Sequence, residues 1–289
     1  MASKPAIDIR FWGARGSFPM PGPQALEFGG HTSCVEVRAG GHVMIFDAGS
    51  GIVPLGKALL DEAVTEIDLF FTHCHYDHII GLPYFLPAFW DKVRFRIWAG
   101  HMQDGSTPED LVAGIFRPPY FPITKDWMRA KVEYRRFTPG DVLEPAPGIR
   151  LVTGSLRHPN GAVGYRIEYG GAVFCYLTDF EHDDGPGDAE IRRLAKDADL
   201  AVLDATYTPE EYPHFKNFGH STWLHCGRLC AEAGVERWGL FHHMHQRSDP
   251  DLHVIEKRAQ EQFPNAFAVR EGQRIHLVGK AAKARVKKS

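Results

Sequence analysis

Long hydrophobic runs are missing from the chain. No stretch of its 289 residues approaches the roughly 20 consecutive apolar residues that a membrane-spanning helix requires. Met1 to Arg10 lack the apolar segment of a secretory signal. The sequence therefore predicts a cytoplasmic protein with no membrane partner. Cysteine is scarce: five residues, an odd number at irregular spacing, argue against a disulfide framework and for reduced thiols. Cys226 and Cys230 stand one helical turn apart with Trp223 and Ala233, the pattern of a buried helix face rather than of a metal site. Excess charge of either sign is absent too. A formal net charge of −3 gives no whole-chain attraction to nucleic acid, and basic residues gather only in a tail at 280–289. No fixed-period repeat and no long linker divide the chain, which predicts one domain over 1–289. The oligomeric state stays open, a homodimer included.

The 44% of hydrophobic residues suffice for a sizeable core. They fall into two β-rich halves. The first has strand candidates at 7–12, 35–38 and 42–46, a helix carrying Ile52, Leu55 and Leu59 at helical spacing, and a buried strand at 67–72. The second has strands at 131–137, 149–156, 163–169 and 172–177, followed by helices at 188–196, 222–233 and 250–262 that alternate with strands at 200–203 and 237–241. Between the halves, the segment 99–130 is rich in proline and aromatic residues and reads as a surface excursion with one short helix capped near Thr107. Helices outside two β-rich halves predict an α/β protein, a four-layer αββα sandwich.

The densest chemistry is Thr72-His73-Cys74-His75-Tyr76-Asp77-His78, at the end of the apolar run 67–71. In an extended segment alternate residues project to one side, so His73, His75 and Asp77 are expected to converge, with His78 reaching a neighbouring position as the chain turns. Cys74 falls out of phase. Neutral imidazole and carboxylate donors suit zinc, and manganese or iron as well.

His73-x-His75-x-Asp77-His78 after an apolar strand resembles the signature of metallo-β-lactamase-fold hydrolases, and the resemblance extends over nearly the whole chain. It implies that the Asp47-Ala-Gly49 turn supports the metal loop. It also implies His158 as the third ligand beside His73 and His75, Asp179 as a bridging carboxylate, and His242 as the last ligand beside Asp77 and His78. Of the three imidazoles in Phe241-His242-His243-Met244-His245, His242 comes first after the strand, as in the resembling proteins. Two divalent ions, zinc before manganese or iron, are thus implied as cofactors. They outweigh two aspartates and a shared hydroxide, leaving a positive site that would draw in a phosphodiester for hydroxide attack.

Gly219-His220-Ser221-Thr222 resembles the matching motif of ribonuclease Z and its phosphodiesterase relatives, which implies His220 as general acid and Asp204 as its orienting carboxylate. His220, Asp204 and Asp77 are the catalytic candidates. Enzymes of the fold that open β-lactams commonly have cysteine where this sequence has Asp179. The excursion 99–130 lacks the strongly basic character of an RNA-gripping arm. A small or cyclic phosphodiester is accordingly expected as substrate, ahead of RNA or of an ester, lactone or β-lactam. A non-catalytic metal scaffold or sensor is the rival from another class. Phe11-Trp-Gly-Ala-Arg15-Gly-Ser17 with Gly29-Gly-His31-Thr-Ser-Cys34 resembles one bacterial branch, which more often has Asn where His31 stands. Arg15 is open between a phosphate contact and a structural one.

Overall fold

The computed structural model describes residues 6–279; the basic tail expected at 280–289 lies outside the described residues. Period-two alternation in the first half builds β1 (Ile7–Gly13), β2 (Cys34–Ala39), β3 (His42–Phe46), β4 (Glu66–Phe70), β5 (Arg94–Ala99) and β6 (Lys131–Arg136). The second half supplies β7 (Val142–Leu143), β8 (Arg150–Leu156), β9 (Ala162–Tyr169), β10 (Ala172–Leu177), β11 (Leu200–Asp204), β12 (Trp238–Phe241) and β13 (Ala266–Ala268). The final strand, β14 (Arg274–Leu277), returns to the first sheet beside β1. The sheet orders are β14-β1-β2-β3-β4-β5-β6 and β13-β12-β11-β10-β9-β8-β7.

Each sheet changes character along its width. Hairpins make β1, β2 and β3 antiparallel, whereas β3 to β6 run parallel. In the second sheet β7 to β10 are antiparallel and β10 to β13 parallel. Parallel strands need crossover helices, and these occupy the outer faces. Helix α1 (Ile52–Asp61) buries Ile52, Leu55 and Leu59 at the spacing read from the sequence. A four-residue turn of helix, α2 (Tyr76–Ile79), and α3 (Pro108–Ile115) also lie on the side of the first sheet, within or against its outer core. The second sheet is covered by α4 (Pro186–Ala195), α5 (Trp223–Glu232) and α6 (Asp249–Gln262). Cys226, Cys230 and Trp223 are all buried on α5, as their spacing predicts. Between the sheets, Phe11, Phe46, Phe70, Tyr165, Tyr176 and Phe241 form the central core. This is the expected four-layer αββα sandwich. Among the described residues no helix is long and apolar enough to cross a membrane.

Differences from the sequence expectation are local. The strand expected at 67–72 stops at Phe70 because the chain there leaves the sheet towards His73. Strands β7 and β13 are two and three residues long, too short for alternation to register. In β5 the charged Arg94 and Arg96 interrupt the apolar pattern, yet the strand is interior, because Arg96 donates to the buried Asp68. In the excursion, Thr107 and Asp110 form a reciprocal capping box at the start of α3. Phe116 is buried, Phe121 meets Phe116 and Tyr84 edge-on, and Tyr120 and Trp127 are exposed.

Gly49, in the turn after β3, has no room for a side chain. A Cβ would lie 2.3 Å from the Asp77 carbonyl oxygen and 2.7 Å from that of Ser33. Gly49→Ala should lower stability by about 1–3 kcal/mol, read as a fall in the urea midpoint. Gly114→Ala on α3, where a Cβ meets nothing within 4 Å, should instead raise it by about 0.5–1 kcal/mol.

Candidate metal centre

The parallel strands of both sheets end at one edge, and the chemistry gathers there. Asp47 follows β3, residues 71–78 follow β4, Asp179 follows β10, Asp204 closes β11 and His242 follows β12. Asp47, Asp179 and His242 have left-handed backbone, with φ of 62°, 56° and 58°. That conformation is uncommon for non-glycine residues and recurs where a site is held against strain. It turns each chain sharply as it leaves its strand.

Of the donor groups that result, two draw on the histidine turn. His73, His75 and His158 bring one ligand-capable atom each within 4.8 Å of one another, and Asp77, His78, Asp179 and His242 do the same. The extended-chain expectation that His73, His75 and Asp77 converge needs correction. The chain becomes helical at Tyr76, so Asp77 and His78 swing together into the second group. Asp179 lies between the groups: Oδ2 is 3.2 Å from His78 Nε2, and Oδ1 is 3.1 Å from His242 Nε2 and 4.0 Å from His73 Nε2.

The donor chemistry fits divalent cations. His158 Nδ1–H donates to the Gly219 carbonyl at 2.8 Å and His78 Nδ1–H to Asp47 at 2.8 Å, which leaves a lone pair on each Nε2. His73 and His242 place Nδ1 on the hydroxyls of Thr72 and Thr206, both at 3.0 Å. The buried Nε2 atoms of His73 and His78 have no hydrogen-bond partner. Burial drives His73 and His75 below the ordinary imidazole value, and His158 down to about 4, so all three present neutral rings. Around the second group, burial opposes charge on Asp77 and Asp179, yet His78 and His242 hold both carboxyls well below the usual range. Against its own burial, His78 is pushed well above its ordinary value by Asp179, Asp77 and Asp47. A field that favours a proton there favours a divalent cation equally.

Asp47 holds this arrangement from behind. It is buried and accepts Thr72 N–H at 2.7 Å, the Thr72 hydroxyl at 2.9 Å, His78 Nδ1–H at 2.8 Å and the Tyr176 hydroxyl at 2.9 Å. Other supports had no role assigned from the sequence. Ser17 N–H donates to Asp77 Oδ2 at 2.7 Å. Glu181 accepts Asn217 N–H, Gly219 N–H and the Tyr212 hydroxyl, clamping the loop whose Gly219 carbonyl fixes His158. Gly219 itself has φ of 87° and its Cβ would strike the His158 ring.

His220 stands beside the second group. Its Nδ1 lies 2.7 Å from Asp204 Oδ2 and 3.7 Å from Asp179 Oδ1, and its ring stacks on His242 at 4.8 Å between centroids. Burial opposes its protonation, but Asp204 carries its pKa up to about 9. Thr222 caps α5 by accepting His225 N–H, so helix capping and the acid–imidazole pair coexist in the one motif. Ser17, Cys74, His75, Tyr76, Asp77, Asp179 and His220 line an open pocket of about 330 Å³.

Several candidates face elsewhere. His243 turns away and donates Nε2–H to the Val269 carbonyl at 2.8 Å; neither it nor His245 joins a donor group. Arg15 is buried, with Nε–H on the Gly29 carbonyl and Nη1–H on the Arg247 carbonyl, both at 2.7 Å, which makes its role structural. His31 Nδ1 lies 3.0 Å from Ser50 Oγ. Cys175 is buried with its thiol on the Leu194 carbonyl, away from the donor groups.

Comparison with known proteins agrees with the architecture. A family described as the beta-lactamase superfamily domain matches residues 42–243. A ribonuclease Z of Lacticaseibacillus casei (strain BL23) is 27% identical over 284 residues, covering 81% of this chain and 85% of the relative. Among solved structures, the metallo-beta-lactamase fold protein YhfI from Bacillus subtilis aligns with a TM-score of 0.71 at 19% identity, over 94% of this chain and 99% of that one. A diphosphatase from the PhnP family aligns at 0.68 and 19%, over 94% and 98%. The family match spans most of the chain, including both donor groups, and the chain therefore belongs to the β-lactamase superfamily as a metal-dependent hydrolase of the metallo-β-lactamase fold.

Proposed function

We propose that the protein is a dinuclear phosphodiesterase acting on a small or cyclic phosphodiester. One observation carries this above all: His220, held from behind by the buried Asp204, lines the same pocket as His75, Asp77 and Asp179. His73, His75 and His158 would hold one ion and Asp77, His78 and His242 the other, with Asp179 reaching both. Bound there, two divalent ions, zinc or else manganese or iron, supply charge neutralisation for a phosphoryl oxygen and an acidified water.

The chain's own residues supply the rest. Asp204 accepts a hydrogen bond from His220 Nδ1–H, leaving Nε2–H as the proton His220 can offer to the pocket. A departing alkoxide is a poor leaving group unless protonated, and an imidazolium with a raised pKa is in place to donate at neutral pH. Ser17 N–H keeps Asp77 oriented. A purely structural zinc site is usually closed by four protein ligands and has no use for such an acid.

RNA processing is the alternative favoured by the ribonuclease Z relative. The excursion 99–130 speaks against it, because Lys125 is already paired with Glu109 at 2.8 Å and the exposed side chains there include Tyr120 and Trp127. Metal analysis combined with turnover of bis(p-nitrophenyl) phosphate, cyclic nucleotides, a precursor transfer RNA and a β-lactam tests the assignment. Two metal equivalents and selective hydrolysis of small phosphodiesters are expected. Preference for the RNA establishes the alternative, and preference for the β-lactam sinks both.

Two variants test the named roles. His220→Ala should cut kcat on an alkyl phosphodiester by roughly 10²–10⁴-fold while sparing an activated p-nitrophenyl ester; equal losses would remove the acid role. Asp47→Ala should weaken metal affinity by about 10–100-fold in a chelator competition, and unchanged affinity would leave Asp47 without its supporting role.

A further inference from the structure

Beside the metal centre lies a second cleft, of about 520 Å³, within the range of small-molecule sites. One wall is the segment after the histidine turn, with Ile79, Ile80 and Tyr84; the other is α3 and the chain beyond it, with Leu111, Ile115 and Phe121. Cys74 and Tyr76 line this cleft and also the pocket holding His75, Asp77, Asp179 and His220, so the two are continuous. Tyr76 and Tyr120 line it while remaining 80% and 88% exposed. Large aromatic side chains left in water beside a reaction centre mark a surface that a ligand covers.

Beyond the hydroxyls of Tyr76, Tyr84 and Tyr120, the lining offers little to a polar guest. Asp110 is the charged residue in it, and its carboxylate already accepts Thr107 N–H at 2.9 Å and the Thr107 hydroxyl at 2.6 Å. The Ser106 hydroxyl is likewise engaged, donating to Asp104. A sugar placed here would replace few of its hydrogen bonds to water. A hydrocarbon or aryl group would lose nothing and would release the water held against Ile79, Ile80, Leu111 and Ile115.

We infer that this cleft is a subsite for one bulky, uncharged, apolar ester group of the substrate. The phosphodiester then carries an alkyl or aryl substituent on that side rather than a nucleoside. The inference rests on the phosphodiester assignment above and narrows it, and its test separates the two.

Gly114 supplies the means. It lies on the cleft-facing side of α3, three residues after Leu111 and four after Asp110, and a Cβ there meets nothing within 4 Å. Gly114→Phe therefore fills the cleft from a backbone that has room for it. The probes are two phosphinates, which have no P–O–C bond to break, ethyl(methyl)phosphinate and methyl[2-(2-naphthyl)ethyl]phosphinate, together with 2-naphthylmethanol, which has no phosphorus. Binding to the metal-replete full chain is read by naphthyl fluorescence and, for the ethyl phosphinate, by competition.

The parent protein should bind the naphthyl phosphinate at least about 30-fold more tightly than the ethyl phosphinate, and Gly114→Phe should shrink that gap to about 3-fold. Ile80→Gln, a change on the opposite wall at a half-exposed position, should shrink it too, which keeps the test alive if Gly114→Phe fails to fold. Equal affinities in the parent, or a gap that survives both variants, overturn the subsite. So does a parent dimer that Gly114→Phe converts to monomer in light scattering, because a second copy would then be the occupant. Should 2-naphthylmethanol bind saturably and be expelled by Gly114→Phe while both phosphinates are refused, the apolar subsite stands and the phosphodiester assignment falls.

Discussion

Asp47 lies fully buried at the end of β3, and donors from both sheets end on its carboxylate. Thr72 and His78 bracket the histidine turn of the first sheet, while Tyr176 reaches across from β10 in the second. A charge so deep is tolerable only when its lone pairs are taken up, and here the groups that satisfy it are the ones that need fixing. Tyr165 adds a second tie from the same sheet, its hydroxyl donating to the Phe71 carbonyl at 2.6 Å. The position of His78 relative to Asp179 thus follows from how the two sheets are joined, and the joint is polar although the layer around it is aromatic.

The same edge explains why the donors come from segments so far apart in sequence. Strands that run parallel all deliver their ends to one side, so β3, β4, β10, β11 and β12 can each contribute a residue without any long loop. The left-handed residues at 47, 179 and 242 make the turn abrupt. Such backbone costs about 1–2 kcal/mol per non-glycine residue, and the hydrogen bonds and core packing around it must offset that cost. Glycine would avoid it but would provide no ligand.

Much of this was legible in the chain. The apolar run ending in His73-Cys-His75-Tyr-Asp77-His78 announced both a buried strand and a donor cluster, and Ile52, Leu55 and Leu59 announced α1. What stayed hidden has physical reasons. Period-two reasoning alone put Asp77 with His73 and His75, because alternation does not show that the chain turns helical at Tyr76; the family resemblance groups it with His78 and His242. Glu181, Thr206 and Ser17 act through contacts with residues distant in sequence, and a lone Glu, Thr or Ser carries no periodic mark. Arg15 looked equally suited to a phosphate or to backbone carbonyls, and only the path of residues 29 and 247 past its guanidinium decides. The aromatic excursion was visible as composition, but which rings pack and which face water depends on where α3 settles.

Thr206 carries a consequence for how this molecule can change over generations. Its hydroxyl lies 2.8 Å from Asp204 and 3.0 Å from His242 Nδ1, so one oxygen serves both the carboxylate beside His220 and the imidazole of His242. A replacement that retunes either partner disturbs both at once, and paired mutations there will not combine as a simple sum. Divergence towards new molecules is thereby pushed outwards, to α3 and the bends around it, where side chains can be exchanged one at a time while the interior stays as it was.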